Sequence, residues 1–507
     1  MPTDSTTDPR LRAGIAGIVA VVGGLAAGHL VAALIAPAAS PALAVGGRVI
    51  DLTPTPIKEW AVATLGTWDK PVLIGGVVIV TLALGAVAGV LAVRFRWLTW
   101  AAPIALSAVA AVAAAAAPAA GQLAVAPALV TGAVGIAVLR WFLRDPGARA
   151  DESGAVYALP RRAFLTGTAV TGAGSLAAVL GAQFLSSGRQ PPSTVTLPPP
   201  ARPLAALPAG LDVPGIAPWV TPNADFYRVD VSLIVPGVDL NGWRLSIDGM
   251  VDRPLSITWS ELLAMPMIEK DITLNCVSNE VGGPYIGGAR WLGVRVQDLL
   301  ARAGVRPGAD QVLSRSVDGF TVSTPVQALT DGRDALIAVG MNGEPLPAEH
   351  GFPARMITPG LYGYVGATKW LTQLTLTTYA KDQAYWTVRG WAERGPVKPS
   401  SRIDTPRPFA RPKTGQVMIA GEAWAQHIGV MKVQVRVDGG PWQDAEIGPD
   451  AGIDYWRQWK YAWSAMPGQH SLESRVIDNT GADQSPVRAA PFPDGSSGLH
   501  SVVVTVD

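Results

Sequence analysis

Asp271-Ile-Thr-Leu-Asn-Cys276-Val-Ser-Asn-Glu280 is a strand-like run that ends on the only cysteine in 507 residues. Ile272, Leu274 and Cys276 alternate with Thr273 and Asn275, the period of a half-buried strand, so a strand here puts the thiol on its apolar face. The Ser-Asn-Glu-Val-Gly-Gly sequence over 278–283 forms a turn, which leaves the sulfur at the mouth of a glycine loop where it can meet a ligand. A lone cysteine on an apolar face is by default a small buried hydrophobe. A chemical role must come from its neighbours.

Length and charge narrow the classes. The chain has room for roughly two to four domains and a large core. A formal net charge of +1 gives no electrostatic reason to expect nucleic acid as a partner. One cysteine excludes an intramolecular disulfide framework and any four-cysteine zinc or iron–sulfur site. His29, His350, His427, His470 and His500 are too scattered for a multi-histidine motif. Apolar residues crowd the first third, which marks a membrane portion followed by a soluble one.

Five apolar stretches, 11–36, 71–93, 98–119, 122–143 and 163–185, approach or exceed the about 20 residues that cross a bilayer. Arg10 and Arg12, then Arg94 and Arg96, then Arg140, Arg144, Arg149, Arg161 and Arg162 fall on one side if all five cross. That side is then the cytoplasm, and everything after about residue 186 lies outside a multi-pass cytoplasmic membrane anchor. A removable signal peptide does not explain a pattern that continues through residue 143. Leu159-Pro-Arg161-Arg162-Ala-Phe164-Leu165 looks like the core of a twin-arginine export signal, although paired arginines before a span also serve simply to set topology. His29 is alone within the spans, which argues against bis-histidine haem ligation there.

Residues 186–222 are rich in proline and small residues and read as an extended tether. From Asn223 the texture is mixed α and β. Trp243–Pro254 suggests a hairpin turning at Asp248-Gly249, Thr258-Trp-Ser260-Glu261 a hydroxyl-capped helix start, and Val294–Ala303 a helix stopped by Gly304. Beyond the linker-like 396–408, alternating runs at 417–424, 430–437, 455–463, 468–478 and 501–506 suggest an immunoglobulin-like β-sandwich without a cysteine pair. Four segments follow: a transmembrane domain over 1–185, a tether over 186–222, a mixed domain over 223–400 and a sandwich over 401–507.

Two segments offer the sulfur company. Asn223-Ala-Asp-Phe226-Tyr227-Arg228 opens the globular part, and Glu349-His350-Gly-Phe-Pro-Ala-Arg355 through Thr368-Lys369-Trp370 packs basic residues among glycines and prolines. Singly, each basic residue reads as ordinary surface. Together they supply cationic groups and exposed amides, as an anionic, phosphate-bearing ligand requires.

On these residues the chain from Asn223 to its end resembles the sulfite oxidase family of molybdopterin-dependent oxidoreductases. Cys276-Val-Ser-Asn279 stands where that family has cysteine-x-x-asparagine. Met341-Asn-Gly-Glu-Pro-Leu-Pro-x-x-His350-Gly-Phe-Pro-x-Arg355 is followed by Pro359-Gly360-x-x-Gly363 and Lys369-Trp370, and the terminal sandwich matches the family's C-terminal domain. The five spans are not part of the shared core. The resemblance implies that Cys276 is the thiolate ligand of molybdenum in a molybdenum–molybdopterin cofactor, a soft ligand for a thiophilic metal. It implies that His350, Arg355, Ala367, Thr368 and Lys369 hold the pterin and its phosphate, joined by Asn223, Phe226, Tyr227 and Arg228, with Asp318 a weaker match. Arg228 is also placed beside Cys276 in catalysis. The implied partners are a small-molecule substrate, a haem- or quinone-linked electron carrier and a second copy of the chain through the C-terminal domain.

Two departures bear on substrate. Animal and plant sulfite oxidases carry arginines after the cysteine-x-x-asparagine, where Glu280 and Val281 stand here, and a tyrosine where Val339 stands. Val229-Asp230 likewise replaces an asparagine-histidine pair. They leave open sulfite oxidation, sulfoxide reduction and, as an alternative, a cofactor-free extracytoplasmic binding module that keeps the fold.

Overall fold

The computed structural model describes residues 9–144, 161–187 and 195–507, so Arg149, Leu159-Pro160 and residues 188–194 of the expected tether lie outside the described residues. One compact unit holds the helices up to residue 187 together with Val231–Gly237, and the other holds 195–230 and 238–507.

Each apolar stretch contains one helix of the first unit. These are α1 (Pro9–Ile35), α4 (Asp69–Ala92), α5 (Leu98–Ala115), α6 (Ala126–Phe142) and α7 (Arg161–Ser187), with α2 (Pro41–Leu52) and α3 (Thr55–Leu65) as two shorter helices not anticipated from the sequence. Four of them are long and apolar enough to cross a membrane, whereas α6 has 17 residues. At 1.5 Å per residue α6 reaches only about 26 Å, short of the roughly 30 Å hydrocarbon layer. Small residues let the backbones approach: a Cβ on Gly17 of α1 would lie 2.0 Å from the Gly85 carbonyl of α4. The loop 231–237 is tied to this unit where Lys70 Nζ donates to the Ser232 carbonyl at 2.7 Å.

The second unit begins with two sheets. The first is ordered β2 (Leu255–Thr258), β1 (Arg244–Gly249), β10 (Leu371–Thr377), β5 (Gln311–Ser316) and β6 (Thr321–Pro325), with β1 and β10 parallel. The second is antiparallel, ordered β3 (Ile268–Asn275), β4 (Ile286–Arg295), β7 (Leu336–Met341) and β8 (Glu344–Pro345), with β9 (Arg355–Ile357) also on β7. Leu245, Ile247, Leu374 and Val312 of the first sheet meet Val294, Ile337 and Val339 of the second, with helix Val296–Ala303 sealing the core through Leu299 and Leu300. The helix ends on Gly304 at φ 72°, a left-handed stop. Thr258 caps the helix at Trp259 through a reciprocal bond with Glu261.

The hairpin exists, but not with a two-residue Asp-Gly turn. Asp248 and Gly249 are still paired with β10, and β2 begins only at Leu255. Gly249, at φ 84°, lies so close to β10 that a Cβ would sit 2.2 Å from the Leu376 carbonyl, so contact with a distant strand set the residue there.

Residues 195–222 lack regular strands or helices, yet they are not a free tether. Ala201 N donates to Met267 O, Leu211 N to Gln458 Oε1 and Ala217 N to Asp404 Oδ2, while Trp219 is only 5% exposed. Proline removed their own ladder donors, and the remaining amides are satisfied by distant strands.

The chain ends in two four-stranded antiparallel sheets. One runs β11 (Ser400–Thr405), β12 (Gly415–Trp424), β16 (Arg457–Ala465), β15 (Glu446–Ile447). The other runs β14 (Gln443–Asp444), β13 (Val430–Val437), β17 (Gly468–Asp478), β18 (His500–Val506). Ile419, Trp459 and Trp463 of one share a core with Val433, Leu472, Val476 and Val504 of the other. The tryptophans are therefore core.

Candidate active site

Strand β3 stops at Asn275, one residue short of the thiol, and Cys276 N donates to Tyr285 O across the mouth of the following loop. Ile272 and Leu274 face an apolar core, as the alternation requires. The other face is buried too. Asp271 takes two bonds from Arg290 at 2.7 and 2.8 Å, and Thr273 meets the segment leading into β16 through Asp454 O and Trp456 N. Cys276 is buried and unbonded to any other cysteine. Burial pushes its thiol up, opposed by bonds from Ser278.

The basic segment joins the same sheet through β9, whose Arg355 pairs with Ala338 of β7 and is level with Gly293 of β4 and Ile268 at the start of β3. Arg355 is 4% exposed and donates to the carbonyls of His350 at 3.0 Å and Ala367 at 3.3 Å, with Trp291 under its guanidinium at 5.2 Å. Its Nε has no hydrogen-bond partner, and among the described residues it has no ion-pair partner. Burial lowers its pKa to about 10. Lys369 Nζ bonds Asp230 at 2.7 Å and Glu349 O at 3.0 Å, and burial, opposed by Asp230, brings it down to about 8. Arg228 shares Asp230, at 2.9 Å. Three cations thus converge where one carboxylate is buried.

The opening segment lines the same place. Phe226 stacks on Tyr227 and meets Trp291 and His350 edge-on, with ring centroids 5.3, 5.9 and 5.7 Å away. Burial, then the charge of Cys276, holds the Tyr227 phenol well above its usual range while Arg355 opposes, so this phenol lies within electrostatic reach of both groups. His350 Nε2 donates to the Asn223 carbonyl at 2.9 Å, and burial depresses its pKa to about 4. It is therefore neutral at pH 7, which corrects its reading as a cation. The Asn223 side chain is engaged by Met341 O, Glu344 and Asn342, so it braces the segment.

Not every expected residue points into this centre with free groups. Ser314 Oγ donates to Val322 O, so the Thr368 hydroxyl donates to Ser314 at 2.5 Å. Asp318 Oδ1 closes its own β5–β6 turn through Ser316 and Phe320 N. Val339 is fully buried between the two sheets. Sequence reading overlooked Tyr362, whose phenol burial raises to about 12 with the Cys276 charge as a smaller cause, and Arg402, which bonds the cysteine loop from β11. Tyr362 lay inside a quoted motif; no local signal marked Arg402.

A buried cation without a counter-charge costs several kcal/mol, and Arg355 has none among the described residues while Lys369 shares Asp230 with Arg228, so the surplus positive charge fits an anionic group supplied from outside the chain. A free thiol buried in the same unit fits a metal-bearing one. In the cofactor-free protein Lys369 loses its proton above pH 8, so binding an anion there requires proton uptake. Affinity for inorganic pyrophosphate is expected to fall by up to about tenfold per pH unit above 8. Calorimetric titration checks this, and Lys369→Met should flatten the slope.

Comparison with known proteins agrees with this chemistry. Residues 232–386 match the family model described as oxidoreductase molybdopterin binding domain. An uncharacterized oxidoreductase, YuiH of Bacillus subtilis (strain 168), is 32% identical over 157 residues, which are 31% of this chain and 76% of that protein. The mitochondrial sulfite oxidase of Mus musculus is 31% identical over 272 residues, 45% of this chain and 49% of that one. The chain thus spans about half the length of the first such curated relatives. In the crystal structure of the sulfane dehydrogenase SoxCD from Paracoccus pantotrophus, one chain is similar with a TM-score of 0.50 at 24% identity, over 57% of this chain and 83% of that one, a likeness of fold.

Proposed function

Because this chain belongs to the sulfite oxidase family of molybdopterin-binding oxidoreductases, we propose that it is a membrane-anchored enzyme of oxygen-atom and two-electron transfer, acting on a small sulfur-containing substrate outside the cytoplasm. The observation that carries this is the pair Arg355 and Lys369, both buried, with Asp230 on Lys369 as the acidic partner seen among the described residues, in a unit that also buries the free Cys276 thiol. The molybdenum cofactor, when bound, supplies the oxygen-atom and electron chemistry. Cys276 would hold the metal. Arg355 and Lys369 would neutralise the phosphate, with Thr368 and Ala367 carrying backbone groups between them. Phe226 and Tyr227 would wall the pterin, and Asn223 would orient His350, which burial keeps neutral. Asp318 would contribute through its turn. The buried surplus of positive charge weighs against the cofactor-free module.

Arg228, with a side chain 38% exposed, is the cation placed to meet substrate, but Asp230 already balances it and Glu280 stands exposed in the cysteine loop. This favours an uncharged sulfur–oxygen group over the sulfite dianion. Reduction of a sulfoxide to a thioether consumes two electrons and two protons and releases water. The electrons would come from a haem- or quinone-linked partner.

Four long apolar helices and the shorter α6 support five spans. With the arginines of the sequence on the cytoplasmic side, 223–400 and 401–507 lie outside. The facing terminal sheets support an immunoglobulin-like sandwich and a surface for pairing two copies. Protein made in a cofactor-competent host should contain one molybdenum per chain. Intact cells should reduce an added sulfoxide with electrons from a membrane-impermeant dye. Metal-free protein would sink the enzymatic reading, and activity only after lysis would reverse the orientation.

A further inference from the structure

The loop Cys276–Tyr285 that carries the thiol is irregular backbone. It is closed internally by Cys276 N to Tyr285 O at 2.9 Å, Asn279 N to Cys276 O at 3.1 Å and Tyr285 N to Asn279 Oδ1 at 2.8 Å. Those bonds set the loop's shape, yet they leave open how it sits on the rest of the unit. Three residues of the terminal sheets and their connections meet it from outside. Arg402 of β11 donates through Nη1 to Gly283 O at 3.0 Å. Ser496 Oγ donates to Asn279 O at 2.6 Å. His500, whose Nδ1 accepts from Ile403 N at 2.9 Å, presses its other nitrogen against Gly282, where a Cβ would lie 2.2 Å from Nε2. Gly282 has φ 83°, so glycine is required there twice, for conformation and for space.

Arg402 is itself rigidly held. Its Nε bonds Asp404 at 2.7 Å and its Nη2 bonds the fully buried Glu422 at 2.9 Å. A guanidinium fixed at two corners of its planar fork presents the third in a set direction. Two carboxylates around one cation exceed what local neutrality needs, and burial holds Glu422 well above the usual carboxyl range. Such a buried polar group is a poor way to gain stability, since an apolar replacement often does as well. It is a good way to fix a direction.

We propose that Arg402 and Ser496 are positioning residues for Cys276, through which the terminal sheets hold the thiol where its ligand group must lie. This rests on Cys276 being the metal ligand, but the clamp itself can be tested without the metal. The loop's grip on the sulfur is readable because the chain has no other cysteine. In cofactor-free full-length protein, Arg402→Met is expected to raise the alkylation rate of Cys276 by a small maleimide about tenfold, since a lost anchor shows as local opening. Arg402→Lys, which keeps the charge without the fork, should fall between. Arg475→Ala, which removes a bonded arginine from the other sheet, should leave the rate unchanged. In loaded protein Arg402→Met should lower kcat with KM retained and shift the metal–sulfur absorption.

If Arg402→Met does not fold, Ser496→Ala removes one hydroxyl and should speed alkylation on its own. Alkylation within twofold of the parent in every folded variant overturns the proposal. Failure of the metal assignment would look different: Cys276→Ser would stay fully active while alkylation still responded to Arg402.

Discussion

Cys276→Ser is expected to abolish turnover, by at least about a thousandfold, equivalent to roughly 4 kcal/mol of lost transition-state stabilisation. Hydroxyl and thiol differ little in size, and Cys276 sits at the end of a strand whose bonds to β4 do not involve the side chain, so the fold should persist. Serine, however, is a hard and weakly acidic ligand where a soft thiolate is wanted. Burial already pushes the thiol up, so the sulfur becomes a thiolate only when a cation takes the place of its proton. Cofactor content should remain near the parent's, since Arg355 and Lys369 grip their ligand without passing through sulfur. The decisive pair of measurements is turnover and molybdenum content on the same preparation. Were the cysteine merely a core hydrophobe, serine would cost about 1–3 kcal/mol of stability and leave the folded fraction active.

The strand and its thiol were legible because both depend on local pattern: alternation over six residues and a glycine turn directly after it. The polar face of the same strand was not. Thr273 and Asn275 stand opposite the apolar face yet are buried, Thr273 against the segment that leads into β16, some 180 positions later in the chain. His350 was misread as a cation for the same kind of reason, since burial, with smaller contributions from Arg355 and Lys369, outweighs the opposing bond to the Asn223 carbonyl 127 residues away. Period and composition carry no information about partners at that separation.

The proline-rich segment shows the complementary limit. Residues 195–222 have no period, which correctly excluded helix and strand, but lack of period does not mean lack of packing. Trp219 was the available clue. Its carbonyl accepts from Tyr455 and Trp456, and its ring is buried with theirs. A tryptophan in a low-complexity stretch carries too much apolar surface to be left in a tether. The short helices α2 and α3 were missed because they lie between spans, in sequence that neither fills a bilayer nor shows a long amphipathic stripe.

Arg355→Ala should act on the cofactor and not on the sulfur. In the protein without its ligand the guanidinium is buried, lacks an acidic partner among the described residues and keeps Nε unbonded. Burial brings its pKa down from 12.5 to about 10, so at pH 7 the folded state carries a penalty on the order of 3 kcal/mol for keeping it charged. That penalty is relieved when a phosphate arrives, and each charge-assisted bond then formed is worth about 1.5–3 kcal/mol. Removing the side chain deletes both the strain and the grip. Molybdenum and pterin content should therefore fall at least about tenfold, while the cofactor-free variant loses less stability than a large buried truncation normally costs. Arg355→Met, which fills the space under Trp291 without the charge, should retain still more stability and bind no better. Thermal unfolding of cofactor-free protein, set beside pterin fluorescence of the loaded form, separates the two effects. A variant that keeps full cofactor and unfolds earlier would make Arg355 a structural residue and leave the surplus charge of this site without its ligand.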